Sequence, residues 1–334
     1  MNQRIIKGSL SAIGMMILIL DTKTALAGAV QGMELCIRTL IPSLLPFFLL
    51  SVLLTDALAG VRWKWLEPIG KILKIPKGCE SLLLIGFLGG YPVGAQCVAQ
   101  AWTAGTINTS CSRRMLGFCS NAGPAFIFGL VAFQFSDRLA AWILWAIHVL
   151  SALITGFLLP GKKEDIIQLK SKNAISLNEA LYRSLRIMGS VCGWVILFRV
   201  ILAFTEHWFL WAVNTEIHVA VQMFTELACG CISLSEIDSE ALRLLLCSCG
   251  LSFGGLCVLI QTASVSGTLG LGAYIPGKLM QTLISAILCC LYLAVRNRIS
   301  SAIYAAIGGA LLLSCCVYFI KRKNKYGNLK KAVV

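Results

Sequence analysis

The first candidate site is a short stretch that combines helix-breaking residues with a polar ring and an amide. Gly89 and Gly90 precede Tyr91 and Pro92, and Gln96 follows about one turn later. Proline lacks an N–H and clashes with the preceding turn, while glycine reaches dihedral angles closed to other residues. The pattern therefore predicts a helix break beside Tyr91 and Gln96. An amide both donates and accepts hydrogen bonds, which suits a neutral polar solute such as a nucleoside or an amino acid.

A second stretch repeats this pattern later in the chain. Gly254, Gly255 and Gln261 stand 165 residues after the corresponding Gly-Gly pair and Gln of the first stretch. Upstream of each, the apolar run 46–54 has a counterpart at 193–201. Two matched pairs in the same order indicate a duplicated unit. Broken helices at matching places in two halves are the sequence pattern of a transporter-type site.

Both features also have a purely structural interpretation. Gly86, Gly90 and Gly94 are spaced four apart, which fits the small-residue ridge of closely packed membrane helices. Gln96 and Gln261 could satisfy the backbone carbonyls that a broken helix leaves free instead of binding a solute. Proline and the count of membrane crossings favour the break over simple packing.

Two further polar residues lie inside apolar segments. Asn121, in a segment that Pro124 is expected to interrupt, could present its amide to the same cavity or cap a helix. Glu226 has apolar residues on both sides, and an ionised group at membrane depth costs about 2.5–3.5 kcal/mol. We therefore predict that Glu226 faces a cavity, pairs with Arg199 or stays protonated. The alternative places Glu226 and Arg199 at the interface, where their charged ends reach water.

Composition assigns the whole chain to the membrane proteins. Of its 334 residues, 57% are hydrophobic and 13% are charged, whereas a typical soluble domain has roughly 25% charged residues. The net charge of +14 does not indicate nucleic acid, because Lys and Arg lie in short connectors that suit anionic lipid headgroups. The 15 Cys and three His lack metal-ligand spacing, and no catalytic or cofactor motif stands out. We therefore predict that the chain is not an enzyme and binds no metal ion or cofactor.

Apolar runs of about 20 residues, enough to cross ~30 Å of hydrocarbon, recur along the chain. The clear runs are 35–55, 112–134, 138–159, 187–204, 278–295 and 301–320, and the weaker ones are 8–20, 79–104, 208–226 and 241–265. The run 8–20 also has the features of a cleavable signal peptide, but an uncleaved helix is favoured in a chain with so many later segments.

The charged connectors orient the first half. Basic residues outnumber acidic ones in residues 56–78 and 160–186, and the positive-inside rule places both connectors in the cytoplasm. Three apolar segments lie between these two connectors. Because three full crossings would end on the opposite side, one segment must enter and return, and 79–104 with its glycines and proline is the predicted one.

The second half has the opposite charge pattern. Residues 205–242 carry six carboxylates and no Lys or Arg, as expected of an outside segment, so the two halves are predicted to be inverted. The tail 321–334 carries six basic residues and should be cytoplasmic. An outside segment at 205–242 and a cytoplasmic tail are compatible only if either 208–226 or 241–265 crosses the membrane completely. The sequence does not decide which of the two crosses.

Two motifs carry a resemblance to a known family. At GFLGGYPVGAQ (86–96) and FCSNAGPAFIFG (118–129) the chain resembles the YlbJ-type sporulation integral membrane proteins, of the nucleoside-recognition or Gate-domain group. Further stretches resemble that family in the same order, at 41–54, 226–230 and 251–261. The resemblance covers about residues 30–320 and implies Gate segments similar to those of concentrative nucleoside transporters and ferrous-iron transport proteins. A nucleoside substrate inferred from it is analogy.

The expected fold is an all-α polytopic membrane protein with about 8–10 membrane segments in two inverted Gate-like repeats with broken or re-entrant helices. The expected divisions are an N-terminal helix (1–28), a first repeat (29–160), a basic cytoplasmic connector (161–186), a second repeat (187–320) and a basic tail (321–334).

The expected function is transporter-like binding or movement of a small polar solute during sporulation, in the cell membrane of a bacterial spore former. The expected site residues are Tyr91, Gln96, Asn121, Glu226 and Gln261, with helix breaks at Gly89, Gly90, Pro92, Pro124, Gly254 and Gly255. The alternative is a non-transporting scaffold that recruits sporulation proteins through its basic connectors. The sequence is compatible with a homo-oligomer, and the lipid bilayer is the expected partner.

Overall fold

The computed structural model describes residues 3–58, 64–161 and 175–297, and within these ranges the regular structure is helical. The α-helices are α1 (Gln3–Leu20), α2 (Thr22–Leu35), α3 (Ile41–Leu58), α4 (Glu67–Ile72), α5 (Ser81–Leu88), α6 (Val93–Thr103), α7 (Thr109–Cys119), α8 (Pro124–Gly129), α9 (Leu139–Leu158), α10 (Leu177–Thr205), α11 (Thr215–Thr225), α12 (Leu227–Ser233), α13 (Glu240–Phe253), α14 (Gly255–Ser266) and α15 (Tyr274–Asn297).

Five stretches of the described residues are long and apolar enough to cross a membrane. They are Thr22–Leu58, Leu139–Leu158, Leu177–Leu210, Glu240–Leu269 and Tyr274–Arg296. The predicted all-helical, multi-pass membrane architecture is confirmed in this form. The predicted segment 301–320, the tail 321–334 and residues 162–174 of the basic connector lie outside the described residues.

The helices that hold the site pack through small residues. α10 lies along α2 and α3, while α15 packs on α13, α9 and α7. At the crossing of α7 and α15, a Cβ atom added to Gly277 would come within 2.5 Å of both the Cα and the carbonyl oxygen of Gly117. Only glycine allows backbones to approach this closely, as is usual for membrane helix pairs. The crossing brings the next residue of α15, Lys278, toward the end of α7.

Four short links between consecutive helices meet in the middle of the structure. The four links are residues 89–92 (α5 to α6), 120–123 (α7 to α8), Glu226 (α11 to α12) and Gly254 (α13 to α14). Gly90 and Gly254 have positive φ angles of 73° and 88°, which glycine adopts without strain. A Cβ on Gly90 would lie 3.0 Å from the Gly123 nitrogen, and one on Gly254 would lie 3.3 Å from Cζ of Tyr91.

The glycine spacing at 86, 90 and 94 also serves close packing. Gly86 and Gly94 both lie against the carbonyl of Cys119 at the end of α7, so a side chain on either would overlap it. Gly86 and Gly94 therefore serve close packing, although the three glycines do not form a ridge on a single helix, because Gly90 lies in the link between α5 and α6. The same glycines hold the first link against the second.

Candidate functional site

A cavity of about 50 Å³ lies between the links. This volume holds a few water molecules, since one water needs roughly 10–15 Å³ measured in the same way. The wall is mostly apolar, with side chains from α3, α8, α10 and α14. Its polar side chains are Tyr91, Glu226 and Gln261, so residues from three distant parts of the chain meet at one cavity.

Tyr91 connects this cavity to a buried polar cluster. Its hydroxyl donates a 3.2 Å hydrogen bond to the carbonyl of Leu251 at the end of α13. The same oxygen accepts a 3.0 Å hydrogen bond from Nζ of Lys278. Tyr91 therefore lines the cavity, while its hydroxyl contacts α13 and α15. These contacts connect the first half of the chain to the second.

Lys278 is the centre of this cluster and is only 1% exposed. Besides Tyr91, its Nζ donates to Oε1 of Gln281 at 2.7 Å and to Oδ1 of Asn121 at 3.4 Å. Asn121 is held in place because its Nδ2 donates to the carbonyl of Phe118 at 2.8 Å. Three acceptors match the three N–H donors of an ammonium group, so the surroundings fit the charged form of the lysine.

His148 on α9 completes the cluster as a neutral side chain. Its Nε2 accepts a 3.0 Å hydrogen bond from the backbone N–H of Ala122, so this nitrogen carries no proton. Its Nδ1 lies 3.4 Å from the Ser252 hydroxyl and is the protonated nitrogen of the neutral ring. Among Tyr91, Asn121, His148, Lys278 and Gln281, which we term the lysine cluster, Lys278 is therefore the member whose hydrogen-bond partners suit a positive charge.

Three hydroxyl groups, close to Asn121, Lys278 and Gln261 along the chain, have no hydrogen-bond partner within the described residues other than one another. They belong to Ser120, Thr262 and Tyr274. All three side chains are buried, and Ser120 and Thr262 lie beside the Tyr274 hydroxyl. Buried hydroxyls normally find a partner, because an unpaired one loses its bonds to water without replacement. These three oxygens can receive a ligand.

Glu226 is buried at the cavity and caps α12. Its Oε2 accepts a 2.7 Å hydrogen bond from the backbone N–H of Cys229, while the side chain is 2% exposed. The predicted ion pair with Arg199 is wrong for the described residues, because Arg199 instead lies 2.9 Å from Glu206 and also donates to Gln31. Glu206 is two helical turns after Arg199 on a continuous helix, so both side chains lie on one face.

The structure brings most of the predicted site residues together. Tyr91, Glu226 and Gln261 line the cavity. Asn121 is connected to Tyr91 through Lys278, whose Nζ donates to both side chains. Gln96 lies elsewhere, in an open pocket with other residues of α6 and with Val265 of α14. The predicted break residues lie in the links or directly after them, since Pro124 begins α8 and Gly255 begins α14.

The sequence interpretation missed Lys278, Gln281 and His148. A signal for the first two was present, because Lys278, Gln281 and Ser285 are three and four residues apart and share one face of a predicted membrane segment. A charged residue inside such a segment is a functional candidate by default. No group of three or more His, Cys, Asp or Glu side chains within the described ranges could hold a metal ion.

The chain is similar to a sporulation integral membrane protein, YlbJ, of Bacillus subtilis (strain 168). The two are 33% identical over 162 residues, which is 45% of this chain and 39% of the relative. The match thus spans well under two thirds of the relative's length. No protein-family model matches the chain, and no solved structure matches it.

Proposed function

We propose that the chain is a YlbJ-type membrane protein of a spore-forming bacterium that binds a small polar solute and moves it across the cell membrane during sporulation. The partial similarity to a Bacillus sporulation protein supports the cellular role. The five candidate spans support the location. Non-covalent binding, without enzymatic chemistry, is part of the proposal.

One observation carries the solute role: three of the four links between helices line one cavity with polar side chains, and the fourth link lies against Tyr91. Irregular backbone at membrane depth is tolerated only where protein buries it or where it lines a watery space. Helix ends that meet near the middle of a membrane protein are typical of transporter sites. In this proposal α5–α6 and α13–α14 are the broken segments of two inverted Gate-like repeats.

Uptake into proteoliposomes tests the transport activity. The purified protein is reconstituted, incubated with a defined mixture of nucleosides, amino acids and small organic acids, and the contents are measured by mass spectrometry. At least one compound should accumulate above protein-free liposomes. Its uptake should fall at least tenfold in Tyr91→Ala, which removes the side chain shared by the cavity and the lysine cluster. Absence of any protein-dependent uptake would favour the scaffold.

Complementation tests the cellular role separately. Expression of the chain in a Bacillus subtilis strain without YlbJ should restore sporulation, and Tyr91→Ala should not. Exposed Tyr182 supplies a matched control, and Tyr182→Ala should complement like the unmodified chain. Full complementation by Tyr91→Ala would contradict a role for the cavity.

A further inference from the structure

We propose that the solute is a small monocarboxylate, whose carboxylate group binds to Lys278 together with the hydroxyls of Ser120, Thr262 and Tyr274. The inference rests on the proposed function and names the chemical class of its substrate. Its basis is a buried lysine whose three neighbours all accept hydrogen bonds, beside three buried hydroxyl groups whose only hydrogen-bond partners are one another.

The first step concerns the charge on Lys278. The amide of Gln281 donates through Nε2 to Oδ1 of Asn121 at 3.0 Å, which leaves its Oε1 for Nζ. Tyr91 gives its own hydrogen to the Leu251 carbonyl, so its oxygen is an acceptor toward Nζ. All three neighbours of Nζ therefore accept, and an ammonium group uses every one of them.

The second step concerns the missing counter-ion. Within the described ranges no carboxylate oxygen lies within 4.0 Å of Nζ, and His148 is neutral because its Nε2 accepts from a backbone N–H. Nζ lies 5.1 and 5.9 Å from the ring centroids of Tyr91 and Tyr274, which stabilises a cation weakly. Neutral oxygens and rings leave one full charge uncompensated in the protein interior.

The third step concerns the donors. Tyr274 is one turn before Lys278 on α15, Ser120 precedes Asn121, and Thr262 is on α14. The hydroxyls of these three residues have only one another as neighbours for hydrogen bonding, so each can turn to donate to an oxygen of a ligand. A carboxylate offers two oxygens with about four acceptor positions. The hydroxyls and the ammonium group together can supply four donors.

Charge selects a carboxylate over phosphate. One ammonium group neutralises a monoanion, whereas a phosphate dianion would leave a negative charge buried without a partner. Tyr91 provides the connection to the cavity, since its ring lines that space and its hydroxyl contacts Nζ. The body of the solute therefore lies in the cavity, while its carboxylate replaces protein oxygens at Lys278.

Thermal unfolding with matched probe pairs tests this inference. The full chain in detergent is heated with sodium acetate or acetamide, sodium L-lactate or L-lactamide, and sodium benzoate or benzamide, at equal ionic strength, and with inorganic phosphate. At least one carboxylate should raise the unfolding midpoint by about 2–4 °C in a saturable manner. Its amide and phosphate should leave the midpoint unchanged.

Variants locate the effect. Lys278→Met should abolish the carboxylate response, and Tyr274→Phe should weaken the apparent affinity roughly tenfold, as expected for loss of one hydrogen bond to a charged group. Ser285→Ala is the matched control on α15, because that hydroxyl is already paired with Ser248 at 2.6 Å. If Lys278→Met does not fold, Tyr274→Phe and Thr262→Val decide the question.

Several outcomes would overturn the inference: amides that stabilise as well as carboxylates, phosphate that stabilises more strongly, no response to any carboxylate, or a response that survives in Tyr274→Phe and Thr262→Val. Failure of the proposed function is separable. Uptake of a neutral compound without any carboxylate response overturns only the substrate class. A carboxylate response dependent on Tyr274 without any uptake overturns only transport.

Discussion

Glu226 has two roles in this account, and two substitutions separate them. Its side chain accepts the 2.7 Å hydrogen bond from Cys229 that caps α12, and it contributes a carboxyl group to the cavity wall. Glu226→Gln keeps an acceptor oxygen at the same distance from the backbone and removes the acidic group. Glu226→Ala removes both the acceptor and the acidic group.

The expected changes in the free energy of unfolding follow from the role of Glu226 as a helix cap. Loss of an N-cap acceptor costs about 0.5–2 kcal/mol, and here the N–H is left without a partner in the protein interior. We expect Glu226→Ala to lower the free energy of unfolding by about 1–2 kcal/mol. Glu226→Gln should change it by less than about 0.5 kcal/mol, because the hydrogen bond is kept. Tryptophan fluorescence during unfolding in detergent measures both values.

Ser239 offers the matched control for the cap. It caps α13 through a 3.3 Å hydrogen bond from the Leu242 N–H and is exposed, away from the cavity. Ser239→Ala should lose stability like Glu226→Ala but still complement a Bacillus subtilis strain without YlbJ. Glu226→Gln should fold and fail to complement. If Glu226→Gln complemented fully while Glu226→Ala did not, the residue would act as a cap alone and the acidic group would have no function.

The remaining predictions concern packing, thiols and orientation. Gly277→Ala should destabilise the protein by about 1–3 kcal/mol, because its Cβ would meet the backbone of Gly117 at 2.5 Å. Gly272→Ala is the control and should not destabilise the protein, because the space around Gly272 is open. Equal unfolding midpoints of the two variants would contradict the close crossing. The sequence pattern predicts that a membrane-impermeant thiol reagent reaches Cys97 or Cys257 when the cavity opens, although both are buried here. Peptide mass spectrometry measures the labelling of each thiol, and no labelling of either one in functional protein would contradict opening. A reporter fused after Val334 should be cytoplasmic, because the tail is basic; an outside signal would support a second re-entrant hairpin.

Local features of the sequence predicted the helix ends near the site. Glycine and proline act on their own turn of backbone, so Gly89, Pro92 and Gly254 could be assigned to helix ends without knowledge of their neighbours. Composition likewise predicted the membrane, because a shortage of charges does not depend on fold. The cavity residues Tyr91 and Gln261 followed from their distance to these glycines along the chain.

Contacts between distant helices could not be predicted in this way. The partner of Arg199 depends on the helix continuing through Glu206, which the apolar pattern does not reveal. Gln96 has the same spacing from its glycines as Gln261 but faces a different pocket, because α6 and α14 present different sides to the cavity. Lys278 reaches Asn121 only through the close crossing of Gly117 and Gly277, which no local pattern shows.

The central claim is that the cavity lined by Tyr91, Glu226 and Gln261 opens to water, and one labelling measurement tests it most directly. Ala125 lines the cavity, while Ala152 is buried in α9 and does not line it. In proteoliposomes, Ala125→Cys should react with a small membrane-impermeant thiol reagent from one side at least tenfold faster than Ala152→Cys, and a transported solute should slow that reaction. Equal rates at the two positions in folded protein would contradict the account.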